Sequence, residues 1–185
     1  MRIAEELDPL APILPSAIGY GLIVAGKFDE AVDELKKGIE LAPTLGLHHA
    51  MLGTAYMMSR RYREVTAALE TAARLEPELA IRQGYLAYVY SRSGQMDRAR
   101  EIVARLSASR ATGRKPAVAL AVAQIGMRDW DGALTSLEEA VRIHDIGLLT
   151  ASSVVLDPLY DPIRSSPRFE NILREMNLLE YVNSR

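Results

Sequence analysis

Small side chains recur every 34 residues along most of this 185-residue chain. One column of them is Ala31, Val65, Ala99 and Ala133, and a second column is Gly19, Gly53, Ala87 and Ala121. Two further columns keep the same register, an apolar one at Leu35, Leu69, Val103 and Leu137 and a bulky one at Phe28, Tyr62, Met96 and Trp130. Four columns in one register predict an internal repeat, and repeats of this length stack so that neighbouring units bury a continuous core.

Proline marks the junction between successive units. Pro9, Pro43 and Pro77 share one column, which continues with Ala111 and Asp145. A proline at this position ends one pair of helices before the next begins. Each unit therefore consists of two helices and a turn, with the small residues allowing the paired helices to approach closely. We predict an all-α protein, a right-handed α-solenoid of about four helix pairs with an N-terminal half-repeat and a C-terminal capping helix.

These spacings resemble the tetratricopeptide repeat family, whose repeat is about 34 residues long. The unit that matches best carries Leu52, Gly53, Tyr56, Leu69, Ala72 and Pro77, and the match covers residues 12–145. The early tryptophan of the family pattern is replaced by Pro15, His49, Gln83 and Ala117, and Gln124 stands where the fourth unit should have an aromatic residue. The resemblance predicts a half-repeat at 1–11, four units at 12–45, 46–79, 80–113 and 114–147, and C-terminal capping helices at 148–185.

Both ends of the chain extend the resemblance. Ala4 falls in the column of Ala72, so residues 1–9 look like the end of an earlier repeat, and we expect the chain to be part of a longer protein. The segment VVLDPLYDPIRSSPRFENILREMNL resembles the tail of tetratricopeptide arrays in bacterial signalling proteins such as nucleotide cyclases, Ser/Thr kinases and winged-helix regulators. That resemblance implies a sensory or docking array at the C-terminal end of a larger bacterial protein.

The resemblance also implies where a partner would bind, because the first helices of such units line a concave groove. The groove positions given by the register are Tyr20, Val24, Thr54, Met57, Met58, Tyr88, Arg92, Lys115 and Val122. This lining is mostly apolar and includes adaptable methionines, so the expected ligand is an apolar or amphipathic peptide or helix of a protein partner. Tyr88 and Met57 fit the groove and the internal core equally well, whereas for Leu47 and Val118 we favour the core.

The net charge of -2 conceals a basic middle. Residues 60–115 hold 12 Lys or Arg against 6 Asp or Glu, whereas both flanking regions are acidic. These arginines fall on turns and on several sides of the helices, so we expect solvated faces and no nucleic-acid site, with polyanion binding as a weaker alternative. The stronger alternative to peptide binding is self-association, in which residues 1–9 present an uncapped apolar edge to another copy.

The sequence contains no recognisable catalytic or metal-binding constellation. Cysteine is absent, and the adjacent His48 and His49 project roughly 100° apart on a helix without an acidic residue three or four positions away, so we expect surface or capping roles for them. Carboxylates such as Asp129 stand at helix starts. We predict no enzymatic activity, no cofactor and no metal.

Residues 9–26 carry no charge and could be mistaken for a membrane or signal segment. Pro9, Pro12 and Pro15 interrupt them, and Glu5, Glu6 and Asp8 precede them where a signal peptide would be basic. We therefore expect a packed helix, no membrane insertion and a cytoplasmic location.

Overall fold

The computed structural model describes residues 12–111, 116–145 and 158–179. Within these ranges the chain forms helices joined by turns and contains no strand, so the prediction of an all-α fold is confirmed. The chain divides into two compact units, Met1–Arg82 and Gln83–Arg185. The half-repeat predicted at 1–11, Lys115 and residues 146–157 lie outside the described residues.

Between residues 12 and 82 the first unit contains four helices and the start of a fifth. These are α1 (Leu14–Val24), α2 (Phe28–Leu41), α3 (Gly46–Met58), α4 (Tyr62–Leu75) and the first residues of α5 (Ala80–Arg92). Helix α1 packs against α2, and α3 packs against α4. Helix α3 also contacts both α1 and α2. Adjacent pairs that stack in chain order are consistent with an α-solenoid.

The described part of the second unit contains the rest of α5 and the helices that follow it. They are α6 (Met96–Ala111), α7 (Ala117–Gly126) and α8 (Trp130–Arg142), followed by a 3-10 helix (Pro158–Tyr160), α9 (Asp161–Arg164) and α10 (Pro167–Glu175). Helix α7 packs against both α6 and α8. The 3-10 helix contacts α7, and both α9 and α10 contact α8. The last short helices therefore cover the final long pair of this unit.

The repeat columns found in the sequence form the core of each unit. Ala31, Val65, Ala99 and Ala133 are fully buried, as are Ala87, Ala121, Leu35 and Leu137. A Cβ atom built on Gly19 would lie 2.7 Å from the Leu35 side chain, and one on Gly53 would lie equally close to Leu69. The small residues thus set how closely the two helices of a pair approach.

The backbone repeats as well as the side chains. Four residues spaced 34 apart adopt the left-handed conformation in the turn within each pair, and they are Gly26, Arg60, Gly94 and Arg128. In each turn the following N–H group donates to the carbonyl oxygen five residues earlier at 2.8 or 2.9 Å, the bond that closes a helix in a Schellman motif. This column was not singled out from the sequence, because arginine occupies it in two of the four turns.

Candidate functional site

Helix α1 contains no charged residue and has one buried face and one broad exposed face. The buried face consists of Pro15, Ser16, Gly19 and Ile23. One edge of the exposed face carries Tyr20 and Val24, which are 40% and 59% exposed. The other edge lies roughly 120° away around the helix and carries Leu14 and Ile18, which are 49% and 50% exposed. Helices that are apolar on all sides are normally covered, so both edges are candidate contact surfaces.

Most of the predicted groove residues belong to two columns of the repeat. One column is Tyr20, Thr54, Tyr88 and Val122, and the other is Val24, Met58, Arg92 and Gly126. In the first unit both columns are open to solvent, because Tyr20 and Val24 are exposed and their counterparts on α3 are partly exposed. Met57, next to Met58, is also partly exposed. We name the set Tyr20, Val24, Thr54, Met57 and Met58 the α1–α3 surface.

The chemistry of the α1–α3 surface is apolar. None of its five residues carries a charge. The hydroxyl of Thr54 donates to the Ala50 carbonyl oxygen at 3.2 Å, which satisfies this donor within α3. The two methionines provide flexible, polarisable side chains that can adapt to an irregular apolar partner. Because α1 contacts α3, these residues are held on neighbouring helices of the same unit.

In the second unit the same columns are largely closed. Val122 is fully buried, so it belongs to the core and its placement in an open groove must be corrected. The cause is the close approach of α5 and α7: a Cβ on Gly84 would lie 2.5 Å from the Ala119 carbonyl oxygen, and one on Gly126 would lie 2.6 Å from the Tyr88 Cα. Tyr88 is half-buried in this contact, while Arg92 remains exposed.

Four arginines of the basic middle have partners within the described residues. Arg61 contacts Glu64 at 3.1 Å and lies over the Tyr56 ring, and Arg82 contacts Glu76 at 2.8 Å. Arg98 lies over the Tyr90 ring, and Arg100 contacts Asp97 at 3.0 Å. A polyanion that bound these four arginines would compete with their intramolecular partners.

His48 lies in the core, whereas the sequence predicted a surface or capping role for it. Its side chain is fully buried, and its Nδ1 shares a hydrogen bond of 2.6 Å with the Ser16 hydroxyl. In the described residues Nε2 has no hydrogen-bond partner. Burial lowers the pKa of His48, and the Pro12 carbonyl opposes this effect more weakly. The register gave no signal of this burial, since the column of His48 also contains Leu14, Arg82 and Pro116.

The buried Ser16–His48 pair has the two groups of a nucleophile and a base. Such a pair acts on a substrate only when the hydroxyl is accessible, and Ser16 is only 4% exposed. The pair therefore joins α1 to α3 as a structural contact. Asp129 has the helix-start role expected for it, since its carboxylate accepts a hydrogen bond of 3.0 Å from the Gly132 N–H.

The described residues also bear on metal binding and on membrane insertion. Among those residues, no group of three or more His, Cys, Asp or Glu side chains lies close enough together to hold a metal ion. None of the helices within them combines the length and the apolar character that a membrane span requires.

Comparison with known proteins gives a partial match. No protein-family model matches the chain. The chain is 30% identical over 74 residues to small glutamine-rich tetratricopeptide repeat-containing protein 2 of Mycosarcoma maydis. The match covers 40% of this chain but only 21% of the length of that curated relative. Together with the 34-residue columns and the stacked helix pairs, this similarity supports an array of tetratricopeptide-like repeats.

Proposed function

We propose that this chain is a non-catalytic protein–protein interaction module that binds an apolar or amphipathic peptide or helix on the α1–α3 surface. The exposure of Tyr20 and Val24 on a helix without any charged residue carries this proposal. In the second unit the residue that corresponds to Tyr20 on α7 is the fully buried Val122. The binding surface is therefore assigned to the first unit, and Arg92 and Tyr88 are left out of it.

The composition of the α1–α3 surface limits the chemical class of peptide that can bind to it. An amphipathic helix can place apolar side chains at spacings of three and four residues against such a surface. The α1–α3 surface has no charged residue, so it offers no cationic donor to the terminal carboxylate of a peptide. Arg82, a cation that could have bound such a carboxylate, already pairs with Glu76. We therefore propose that binding depends weakly on salt, in contrast to polyanion binding, which weakens steeply as salt rises.

We further propose that the module works in the cytoplasm as the docking or sensory part of a larger bacterial signalling protein. The support is the resemblance of the segment around Phe169 to the tails of such arrays. The similarity to a tetratricopeptide repeat-containing protein supports protein partners in general. Self-association is the second candidate function, favoured by the exposure of Leu14 and Ile18 at the other edge of the exposed face of α1.

A peptide-display selection against the intact chain tests the proposed binding surface. Enriched peptides should carry apolar residues at helical spacing, and Val24→Glu should abolish their binding because it places a charge on the apolar surface. The matched control is Leu41→Glu on α2, since Leu41 is 58% exposed and Val24 is 59% exposed. Both variants should keep the helix content of the native chain.

Two results would refute the proposed binding surface. One is a selection that enriches no peptide above background. The other is enrichment of peptides that bind the Val24→Glu variant as tightly as the native chain. Equal loss of binding in both glutamate variants would also count against a surface confined to α1 and α3, because Leu41 is outside it.

A further inference from the structure

Methionine is concentrated on helix α3. Three of the seven methionines of the chain, Met51, Met57 and Met58, lie within eight consecutive residues of this helix. All three are partly exposed. Met57 and Met58 belong to the α1–α3 surface, and Met51 stands three residues before Thr54, on the same side of α3. We name Met51, Met57 and Met58 the α3 methionines.

The repeat pattern does not account for the α3 methionines. None of their counterparts in the other three units is a methionine. In the column of Met57 the counterparts are buried, whereas Met57 is partly exposed. The counterparts of the three methionines, in chain order, are Ala17, Ile23, Val24, Tyr85, Ser91, Arg92, Ala119, Ile125 and Gly126. The cluster is therefore a property of α3 and not of the repeat.

The sulfur chemistry of this chain is limited to thioethers. Because the chain has no cysteine, methionine sulfur is the only sulfur that a hydroperoxide can oxidise. The thioether sulfur attacks one peroxide oxygen, so that an S–O bond forms while the O–O bond breaks, and with hydrogen peroxide the product that leaves is water. The sulfur loses two electrons and the peroxide gains them. The resulting sulfoxide is polar, whereas the thioether was apolar.

We propose that the α3 methionines are an oxidation site at which hydroperoxides weaken the binding of a partner peptide. This inference rests on the proposed function of the α1–α3 surface. Apolar side chains of a bound peptide would face the sulfoxide oxygens, and covering a polar group without a hydrogen-bond donor opposes binding. A methionine sulfoxide reductase with a dithiol as reductant returns the thioether, releasing water and a disulfide.

The position of the α3 methionines separates this effect from unfolding. Core methionines that become sulfoxides disrupt packing. The α3 methionines are partly exposed, so we expect their oxidation to change the surface of α3 and to leave the helix content unchanged.

Peptide titrations before and after treatment with hydrogen peroxide test the proposal. The peptide is one selected on the native chain that contains neither methionine nor cysteine. After oxidation the Kd should rise at least about tenfold. Mass spectrometry of the tryptic fragment 38–60, which contains all three α3 methionines, should show the added oxygen. Reductase and dithiol should remove that oxygen and restore the native Kd.

Two triple variants locate the effect. The first replaces the α3 methionines with leucine, a change that nearly conserves volume, and it should bind the peptide both before and after peroxide. The matched control replaces the partly exposed methionines of the second unit, and it should lose affinity on oxidation as the native chain does. Its substitutions are Met96→Leu, Met127→Leu and Met176→Leu. Circular dichroism should show equal helix content throughout.

Four outcomes would overturn the inference. They are an unchanged Kd when the α3 methionines carry oxygen, addition of oxygen to methionines of the second unit only, equal loss of affinity in the native chain and the α3 variant, and no recovery once the reductase has removed the oxygen. The recovery experiment uses the native chain, so it decides the matter even if leucine itself weakens binding. Failure of the proposed function is distinguishable, because the untreated native chain would then bind no peptide.

Discussion

At the scale of single residues, we expect His48 to couple the packing of α1 on α3 to pH. Burial lowers the pKa of His48 below the usual 6.5, so the folded chain favours the neutral ring and the unfolded chain takes up the proton first. The stability that depends on the neutral ring is fully present above about pH 6.5 and is lost as the pH falls through the lower folded pKa. In the protonated ring both nitrogens are N–H donors, and Nε2 makes no hydrogen bond in the described residues.

We expect the melting temperature of the native chain to fall more steeply than that of His48→Gln as the pH drops below about 6.5. The cause is that protonation of the unfolded chain lowers the free energy of unfolding by up to about 1.4 kcal/mol per pH unit in that range. His144→Asn is the control, since His144 is exposed and asparagine tolerates its φ of 53°. Parallel pH profiles for the native chain and His48→Gln would refute this account. An NMR titration of the native histidine rings provides the same test without a substitution.

The left-handed turn column provides a second residue-scale prediction. Arg128 has a φ of 62°, a conformation that costs a non-glycine residue roughly 1–2 kcal/mol. Glycine avoids this strain, but its greater freedom in the unfolded chain offsets part of the gain. Arg128→Gly should therefore raise the free energy of unfolding by about 0.5–1 kcal/mol, measured by denaturant titration.

The reverse substitution is the matched control. Gly94 has a φ of 82°, and nothing lies within 4 Å of a Cβ built on it, so Gly94→Arg introduces backbone strain without a clash. It should lower the free energy of unfolding by a similar amount. Changes of the same sign in the two variants would show that another factor controls stability in these turns.

At the scale of helices, Arg168 fastens α10 to α8. Its guanidinium donates to both carboxylate oxygens of Glu138 at 2.7 and 2.8 Å, and also to Thr135 and Asp131. The Arg168 guanidinium holds the pKa of Glu138 below its usual range. A fork-shaped pair of this kind is stronger than a single-point contact, although its partial exposure weakens it.

Arg168→Ala should lower the free energy of unfolding of the second unit by about 1–2 kcal/mol and increase proteolytic cleavage around α10. Arg174→Ala is the control on the same helix, because Arg174 pairs with Glu170 within α10 and both side chains are exposed. Arg174→Ala should lower the free energy of unfolding by at most about 0.5 kcal/mol. Cleavage rates that rise equally in both variants would show that Arg168 is not the fastening contact.

The helices and their buried columns could be predicted from the sequence because the repeat supplies the same pattern several times. The columns of Ala31 and Leu35 have an apolar or small residue in every unit, and helical spacing alone buries them. Val122 and His48 could not be assigned in this way. Their burial depends on how closely particular helices pack, at Gly84 and Gly126 for Val122 and at Gly38 for His48. The predicted groove and the domain limits remain predictions.

At the scale of the whole molecule, one repeat pattern leaves different apolar side chains exposed in the two units. In the second unit, where α5 and α7 approach closely and the short helices contact α7 and α8, Val122 is fully buried. In the first unit Tyr20, Val24, Leu14 and Ile18 of α1 are exposed. We attribute partner binding to the α1–α3 surface of the first unit.

Methyl NMR on the methionines tests the central claim most directly. The chain has seven methionines, of which Met57 and Met58 lie on the α1–α3 surface and Met96, Met127 and Met176 lie in the second unit. Addition of a selected amphipathic peptide should shift the methyl signals of Met57 and Met58 and leave those of Met96, Met127 and Met176 unchanged. Shifts confined to the second unit, or no shift at saturating peptide, would contradict the account.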